Sequence, residues 1–163
     1  MKIGLISDTH DNIEKIYCFV RICKDYGITL AIHSGDVVTA SAVEAFRGVR
    51  LIGVLGNNDL DKEILAPAFE RIGGELKGEF CEISECGLTI AVYHGTNVKK
   101  KDAIIQSGKY DVVVCGHTHR AESKRFGNTQ FINPGTANGW FFGYKATAVV
   151  YDTETRTSQL LSL

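Results

Sequence analysis

The first half of the chain alternates short apolar runs with amphipathic ones, and this alternation leaves few architectures open. Lys2 to Ile6 reads as a buried strand, Asn12 to Tyr26 as a helix and Leu30 to His33 as a second strand. Ser41 to Phe46 follows as a short helix and Val49 to Leu55 as a third strand. Strands joined through helices run parallel in one sheet, with right-handed crossovers. In the first helix Ile13, Ile16, Tyr17, Val20 and Cys23 share a face, Asn12 fits the N-cap and Gly27 ends the run.

The second half is richer in strands. Phe80 to Ser84 and Leu88 to Tyr93 flank the turn Glu85-Cys86-Gly87. Val98 to Ser107 reads as a helix between an Asn97 N-cap and Gly108. Asp111 to Cys115, Ala121 to Phe126, Thr129 to Ile132, Ala146 to Tyr151 and Thr157 to Leu161 read as further strands. So many strands, with few helices, suggest an α/β fold of two sheets packed face to face with helices outside. No repeat or linker interrupts the 163 residues, and the only prolines are Pro67 and Pro134, so residues 1–163 are read as a single domain.

The net charge of −1 provides no basic excess to hold nucleic acid or a membrane surface in general. No apolar run is long enough to span a bilayer, and Ser7-Asp8-Thr9-His10 cuts short the apolar start that a secretory signal would need. A cytoplasmic protein is expected. Its five cysteines (Cys18, Cys23, Cys81, Cys86, Cys115) are odd in number and lack a C-x-x-C pair, and are read as buried reduced thiols.

The chemistry lies just past the strand ends. Asp8 and His10 follow strand one, Asp36 strand two and Asn57 strand three. His94 follows the strand ending at Tyr93, and His117 and His119 the one ending at Cys115. Ligands bind at the carboxyl ends of strands in open α/β sheets. Polar turn residues alone would explain the Asp and Asn positions, but four of the five histidines also fall at these places. Oxygen and imidazole donors without cysteine suit borderline divalent ions and disfavour a structural zinc site. The set is too large for one catalytic ion with an open position, and sufficient for two. Two ions roughly 3.5–4 Å apart make a hydrolytic clamp for phosphate esters. No Gly-x-Ser-x-Gly elbow or Walker-type loop offers another mechanism.

The series Asp8-Thr9-His10, Gly35-Asp36, Gly56-Asn57-Asn58-Asp59, His94 and Gly116-His117-Thr118-His119 resembles the calcineurin-like metallophosphoesterase superfamily. With the closing Asn133-Pro134-Gly135-Thr136, it resembles the compact phosphodiesterase branch, which includes small bacterial and archaeal enzymes and the retromer subunit of the same fold. The resemblance implies a four-layer α/β/β/α sandwich of two mixed sheets with outer helices. It implies that Asp8, His10 and His119 hold one metal, that Asn57, His94 and His117 hold the other, and that Asp36 bridges both. Asp36, Asn57, Asn58 and His94 are then the residues expected nearest the reacting phosphate. The implied activity is phosphodiester hydrolysis by in-line attack of a hydroxide held between the ions. Mn²⁺ is the first choice, with Ni²⁺, Fe²⁺, Zn²⁺ and Mg²⁺ as others. The implied partner is a small phosphate ester, a nucleotide being one candidate. A phosphomonoesterase and a non-catalytic protein-binding scaffold are the alternatives, and the complete ligand set argues against the scaffold.

One position departs from the family pattern. Many members carry histidine where this chain has Asn58, and that histidine donates a hydrogen bond or proton near the leaving group. Asn58 cannot act as a general acid, so esters with good leaving groups are expected to be favoured. Asp59, which would ordinarily orient that histidine, has no assigned role at this level. His33 is read as a hydrogen-bonded structural histidine, and Lys99-Lys100-Lys101 as a solvated helix face. The aromatic run Gly139-Trp140-Phe141-Phe142-Gly143-Tyr144 has three readings: sheet-end core, a lip that stacks on a base, or the interface of a homodimer.

Overall fold

A computed structural model describes residues 1–139 and 143–163. The tip of the aromatic run, Trp140 to Phe142, lies outside the described residues, and with it the lip and homodimer readings.

Two sheets stack, and their central strands are buried on both faces, whereas the edge strands β8 and β11 are largely exposed. The first has the order β11-β10-β1-β2-β3-β4. Its strands are β1 (Lys2–Ile6), β2 (Leu30–His33), β3 (Arg50–Gly53), β4 (Glu75–Leu76), β10 (Thr147–Asp152) and β11 (Thr157–Ser162). Strands β1 to β3 run parallel, as the alternating first half predicts, β4 adds a further parallel strand, and β10 and β11 join antiparallel. The second has the order β5-β6-β7-β9-β8, from β5 (Phe80–Glu85), β6 (Leu88–Tyr93), β7 (Val112–Val114), β8 (Glu122–Phe126) and β9 (Thr129–Asn133). Here β6, β7 and β9 are parallel. Cys86 and Gly87, both at positive φ, form the two-residue turn between β5 and β6. Paired positive φ values match the twist of a hairpin.

The layers follow from period-two side-chain alternation within strands that are apolar throughout. Ile3 and Leu5 of β1, Leu30 and Ile32 of β2, and Ile52 of β3 point into the space between the sheets, where they meet Ile90, Val92, Val112 and Val114. The intervening Ile6, Ala31 and Leu51 face outward onto α1 (Ile13–Asp25), α2 (Ala40–Glu44) and α3 (Lys62–Arg71). On the far side Ala91, Tyr93, Val113 and Cys115 pack against Ile105 of α4 (Val98–Gln106). The result is the expected α/β/β/α arrangement.

Three local readings are corrected. On α1 the buried residues are Ile16, Phe19 and Cys23, whereas Tyr17 is 60% exposed. Both aromatics fit a helical spacing, and Phe19 is the one whose ring fills the space over Gly4. Helix α3 and strand β4 are unexpected, because Pro67 sits inside α3. Proline removes one helical hydrogen bond. Here both Pro67 and Glu63, whose carbonyl loses that bond, are exposed, so water can satisfy the carbonyl. Cysteine burial holds for Cys23, Cys81 and Cys115, but Cys18 is half-buried and Cys86 exposed. Burial pushes the thiols of Cys23 and Cys115 up to about 12, so they are inert. The lysine run is a solvated face as expected, with Lys99 and Lys100 exposed, and Lys100 Nζ also lies 4.7 Å from the Tyr93 ring centroid.

Phe19 anchors the α1 layer. It is fully buried, meets Phe46 edge-on at 6.1 Å between centroids, and closes over Gly4, where a Cβ would lie 2.8 Å from its ring. Phe19→Ala is expected to cost about 3–5 kcal/mol in urea unfolding, with little change in the slope.

Candidate metal centre

The carboxyl ends of β1, β2 and β3 in one sheet meet those of β6 and β7 in the other, and all the residues singled out past those ends converge there. The loops that carry them are strained. Asp8, His10, Asp36, His117 and His119 all have positive φ between 41° and 68°. Such conformations are uncommon outside glycine, and cluster where geometry serves function. Glycines give the loops room at two further points. A Cβ on Gly56 would stand 2.1 Å from Asp36 Oδ1, and one on Gly116 1.9 Å from Ser7 Oγ and 2.5 Å from Asp8 Oδ2.

Two groups of ligand-type atoms share the buried Asp8. In one, His119 Nε2 is 3.2 Å and His10 Nε2 3.9 Å from Asp8 Oδ1, and the two imidazole nitrogens lie 3.4 Å apart. In the other, His94 Nε2 lies 3.4 Å from Asp36 Oδ2 and 3.9 Å from Asp8 Oδ1. Within each group, Asp8-His10-His119 and Asp8-Asp36-His94, the atoms fall within 4.8 Å of one another. Asp36 Oδ2 connects the groups, 3.7 Å from His10 Nε2. Asn57 Oδ1 extends the second group, 3.1 Å from His94 Nε2 and 3.0 Å from His117 Nδ1. His117 joins the carboxylates mainly through its backbone, whose N–H donates to Asp8 Oδ2 at 3.1 Å.

The tautomer of His94 suits metal ligation. His94 Nδ1 lies 2.8 Å from the Ser34 carbonyl, which makes it the protonated nitrogen and aims Nε2 at the carboxylates. Hydrogen bonds of this kind, from the ring nitrogen that faces away from the metal, fix the tautomer of ligating histidines. Burial works against a charge on His94, but Asp36 and Asp8 outweigh it and raise its proton affinity. For Asp36, burial is again the largest influence and would raise its pKa. The hydrogen bond and charge of His94, with two hydrogen bonds from Asn58, outweigh that and hold the carboxyl well below the usual range. His119 is raised by its contact with Asp8, and His117 is lowered by burial and by His94.

The residues fit divalent ions. Asp8 Oδ1 is fully buried yet accepts no hydrogen bond, although three imidazoles surround it. A buried acceptor left unpaired costs about 1–3 kcal/mol, more when charged. A cation among these nitrogen and oxygen donors would supply the missing partner. Asp8, His10 and His119 would hold one ion, Asp36, Asn57, His94 and His117 the other.

The supporting residues are less visible in sequence. Asp59 is a latch: Oδ2 accepts the N–H of Asp36 and of Gly56, each at 2.8 Å, and Oδ1 accepts that of Val38 at 2.7 Å. It thereby ties the β2 and β3 loops together and restrains Val38 at φ 79°, an outlying value for a β-branched residue. Asn58 turns inward: its backbone N–H reaches Asp36 Oδ1 at 2.8 Å and its Nδ2 reaches Oδ2 at 2.6 Å. Asn133 Nδ2 donates to the Gly116 carbonyl at 2.8 Å and Thr136 Oγ1 to that of Asp8 at 3.0 Å. That explains the closing Asn133-to-Thr136 motif. His33 is structural as expected. It is fully buried, its Nδ1 accepts the Gly35 N–H at 3.2 Å, and its Nε2 lies 3.1 Å from Thr9 Oγ1. Burial lowers its pKa to about 4, which keeps it neutral.

Asp59→Asn is expected to lower unfolding stability by about 1–3 kcal/mol, because an amide NH₂ must then face a backbone N–H. It should also weaken metal binding about 10- to 100-fold, read by titration calorimetry, as expected for outer-shell support. Unchanged metal affinity would deny the latch its role in holding the site.

Comparison with known proteins agrees with this geometry. Residues 1–156 match the model of the calcineurin-like phosphoesterase superfamily domain. A phosphodiesterase of Methanocaldococcus jannaschii is 32% identical over 157 residues, which is 94% of each chain. The structure of an archaeal phosphodiesterase superposes with a TM-score of 0.94 at 30% identity, over the whole of both chains. Vps29 of Chaetomium thermophilum shares the fold, with a TM-score of 0.73 at 17% identity over 99% of this chain and 95% of its own. This chain therefore belongs to the calcineurin-like phosphoesterase superfamily.

Proposed function

We propose that the protein is a dinuclear metal-dependent phosphodiesterase. The observation that carries the reading is the shared pair of buried carboxylates, Asp8 and Asp36, at which two groups of ligand atoms meet. When bound, two divalent ions supply Lewis acidity and an activated water for in-line displacement at phosphorus. Asp36 stays ionised between the two sets, Asn58 fixes both of its oxygens, and Asp59 holds its backbone. His94 presents Nε2 because its Nδ1–H donates to the Ser34 carbonyl. The phosphodiesterase activity of the archaeal relatives supports the choice of a diester.

Mn²⁺ is the ion proposed first, since mixed carboxylate, amide and imidazole ligands suit it, and the substrate proposed is a small phosphate ester such as a nucleotide. Among the described residues no helix is long and apolar enough to cross a membrane. Five free cysteines agree with a reducing, cytoplasmic setting.

The test is hydrolysis of bis-p-nitrophenyl phosphate by metal-stripped protein with Mn²⁺ added back, alongside p-nitrophenyl phosphate. Turnover is expected only with metal, with kcat/KM higher for the diester. Higher kcat/KM for the monoester would make the protein a phosphomonoesterase. No turnover from folded, metal-loaded protein would favour a binding scaffold.

Asn58 provides no proton for the leaving group, and its amide is committed to Asp36. Nitrophenyl diesters should therefore exceed alkyl diesters in kcat/KM by at least about 100-fold, the scale of a missing general acid. Matching rates would show that another group protonates the leaving oxygen.

A further inference from the structure

Beside the metal-ligand set lies a cleft of about 620 Å³, lined by His117, Thr118, His119, Arg120, Glu122 and Tyr144. One wall is thus made by two of the histidines proposed as ligands, and the adjoining wall by an arginine and a tyrosine. Its volume is that of a small-molecule pocket.

The charges in this cleft are unevenly balanced. Glu122 pairs with Lys124. Arg120 has no carboxylate partner among the described residues, and its Nε donates instead to the Tyr144 hydroxyl at 3.0 Å. That bond leaves the charge uncompensated and orients the Nε edge of the exposed guanidinium. Arg50, Arg71 and Arg156, by contrast, each pair with an acidic side chain. A planar fork with its terminal N–H groups available is the geometry that takes a phosphate through two hydrogen bonds.

We propose that this cleft is a subsite for a second phosphoryl group on the substrate, held by Arg120 while the scissile phosphate lies at the metal-ligand set. Tyr144 is the positioning residue for the guanidinium. The substrate class is then a phosphodiester whose organic substituent carries a further phosphate, as in a nucleoside 5′-phosphodiester that also carries a 3′-phosphate. The inference rests on the phosphoesterase reading for the scissile site, and it adds the discrimination among esters that this site alone lacks. Binding and hydrolysis separate the two.

The experiment is calorimetric titration of the Mn²⁺-loaded protein with thymidine 3′,5′-bisphosphate and with thymidine 5′-monophosphate. The bisphosphate should bind at least about tenfold more tightly, as a charge-assisted bidentate contact would give. Arg120→Gln should bring the two affinities to within about twofold, and Tyr144→Phe should leave an intermediate ratio because the charge remains while its orientation is lost. The p-nitrophenyl diester of thymidine 5′-phosphate, with and without a 3′-phosphate, gives the kinetic counterpart. The extra phosphate should lower KM more than it raises kcat, and Arg120→Gln should remove that difference. Equal binding of both nucleotides by the unsubstituted protein, or a ratio preserved in Arg120→Gln, would overturn the subsite. Either result could accompany normal hydrolysis of bis-p-nitrophenyl phosphate, which would leave the phosphodiesterase reading standing. If that hydrolysis is absent, the nucleotide affinities still decide whether the cleft recognises a second phosphate.

Discussion

Two carboxylates, Asp8 and Asp36, are buried side by side at the junction of two sheets, and much of the surrounding structure follows from making that arrangement tolerable. Like charges taken out of water repel and lose hydration. Here the compensation comes from both sheets. His10, His94 and His119 bring nitrogens to the carboxylates, the backbone of His117 donates to Asp8, and Asn58 donates twice to Asp36. Even so, Asp8 Oδ1 keeps no hydrogen bond. The protein has brought its donors close and left one acceptor open at the point where the two ligand groups meet.

This demand accounts for the local backbone. Loops that must turn immediately after a buried strand and aim a short side chain back over its end have few conformations to use. The positive φ values at five of the proposed ligand residues are one consequence, and the absence of a Cβ at Gly56 and Gly116 is another. Each strained residue costs on the order of 1–3 kcal/mol and persists only where its surroundings over-determine it. Asp59 supplies part of that restraint, because three backbone N–H groups from two different loops end on one carboxylate. The rigid sandwich beneath, with a dry layer between the sheets and helices over both outer faces, supplies the rest.

Much of this was legible in sequence because two signals coincide. Short apolar runs mark strands, and Asp, His and Asn placed just past them mark a common end; neither signal alone would identify a site. What was not legible has physical causes. Pro67 hides α3, since a proline in the sixth helical position normally argues against a helix, and only the exposure of that face makes it acceptable. Tyr17 and Phe19 are both large and aromatic, and periodicity by itself does not say which one the neighbouring Gly4 leaves room for. The roles of Asp59 and Asn133 depend on contacts across sequence separations of 23 and 17 residues, which no local pattern encodes.

Asn58 shows how the same position can serve two ends. A histidine there could reach outward as a proton donor. The asparagine instead folds back, and its short amide reaches Asp36 Oδ2 while its own N–H holds Oδ1. The exchange trades acid catalysis at the leaving group for a more tightly fixed shared carboxylate. A site built this way does best with substrates that leave readily or that are held firmly by contacts away from phosphorus, since binding energy gathered at a distance can be used to orient the reacting group. The uncompensated guanidinium of Arg120, fixed by Tyr144 in the adjoining cleft, is a contact of that kind. On the proposed reading, an asparagine that supplies no proton and a cation available in the adjoining cleft belong to one design, which relies on position.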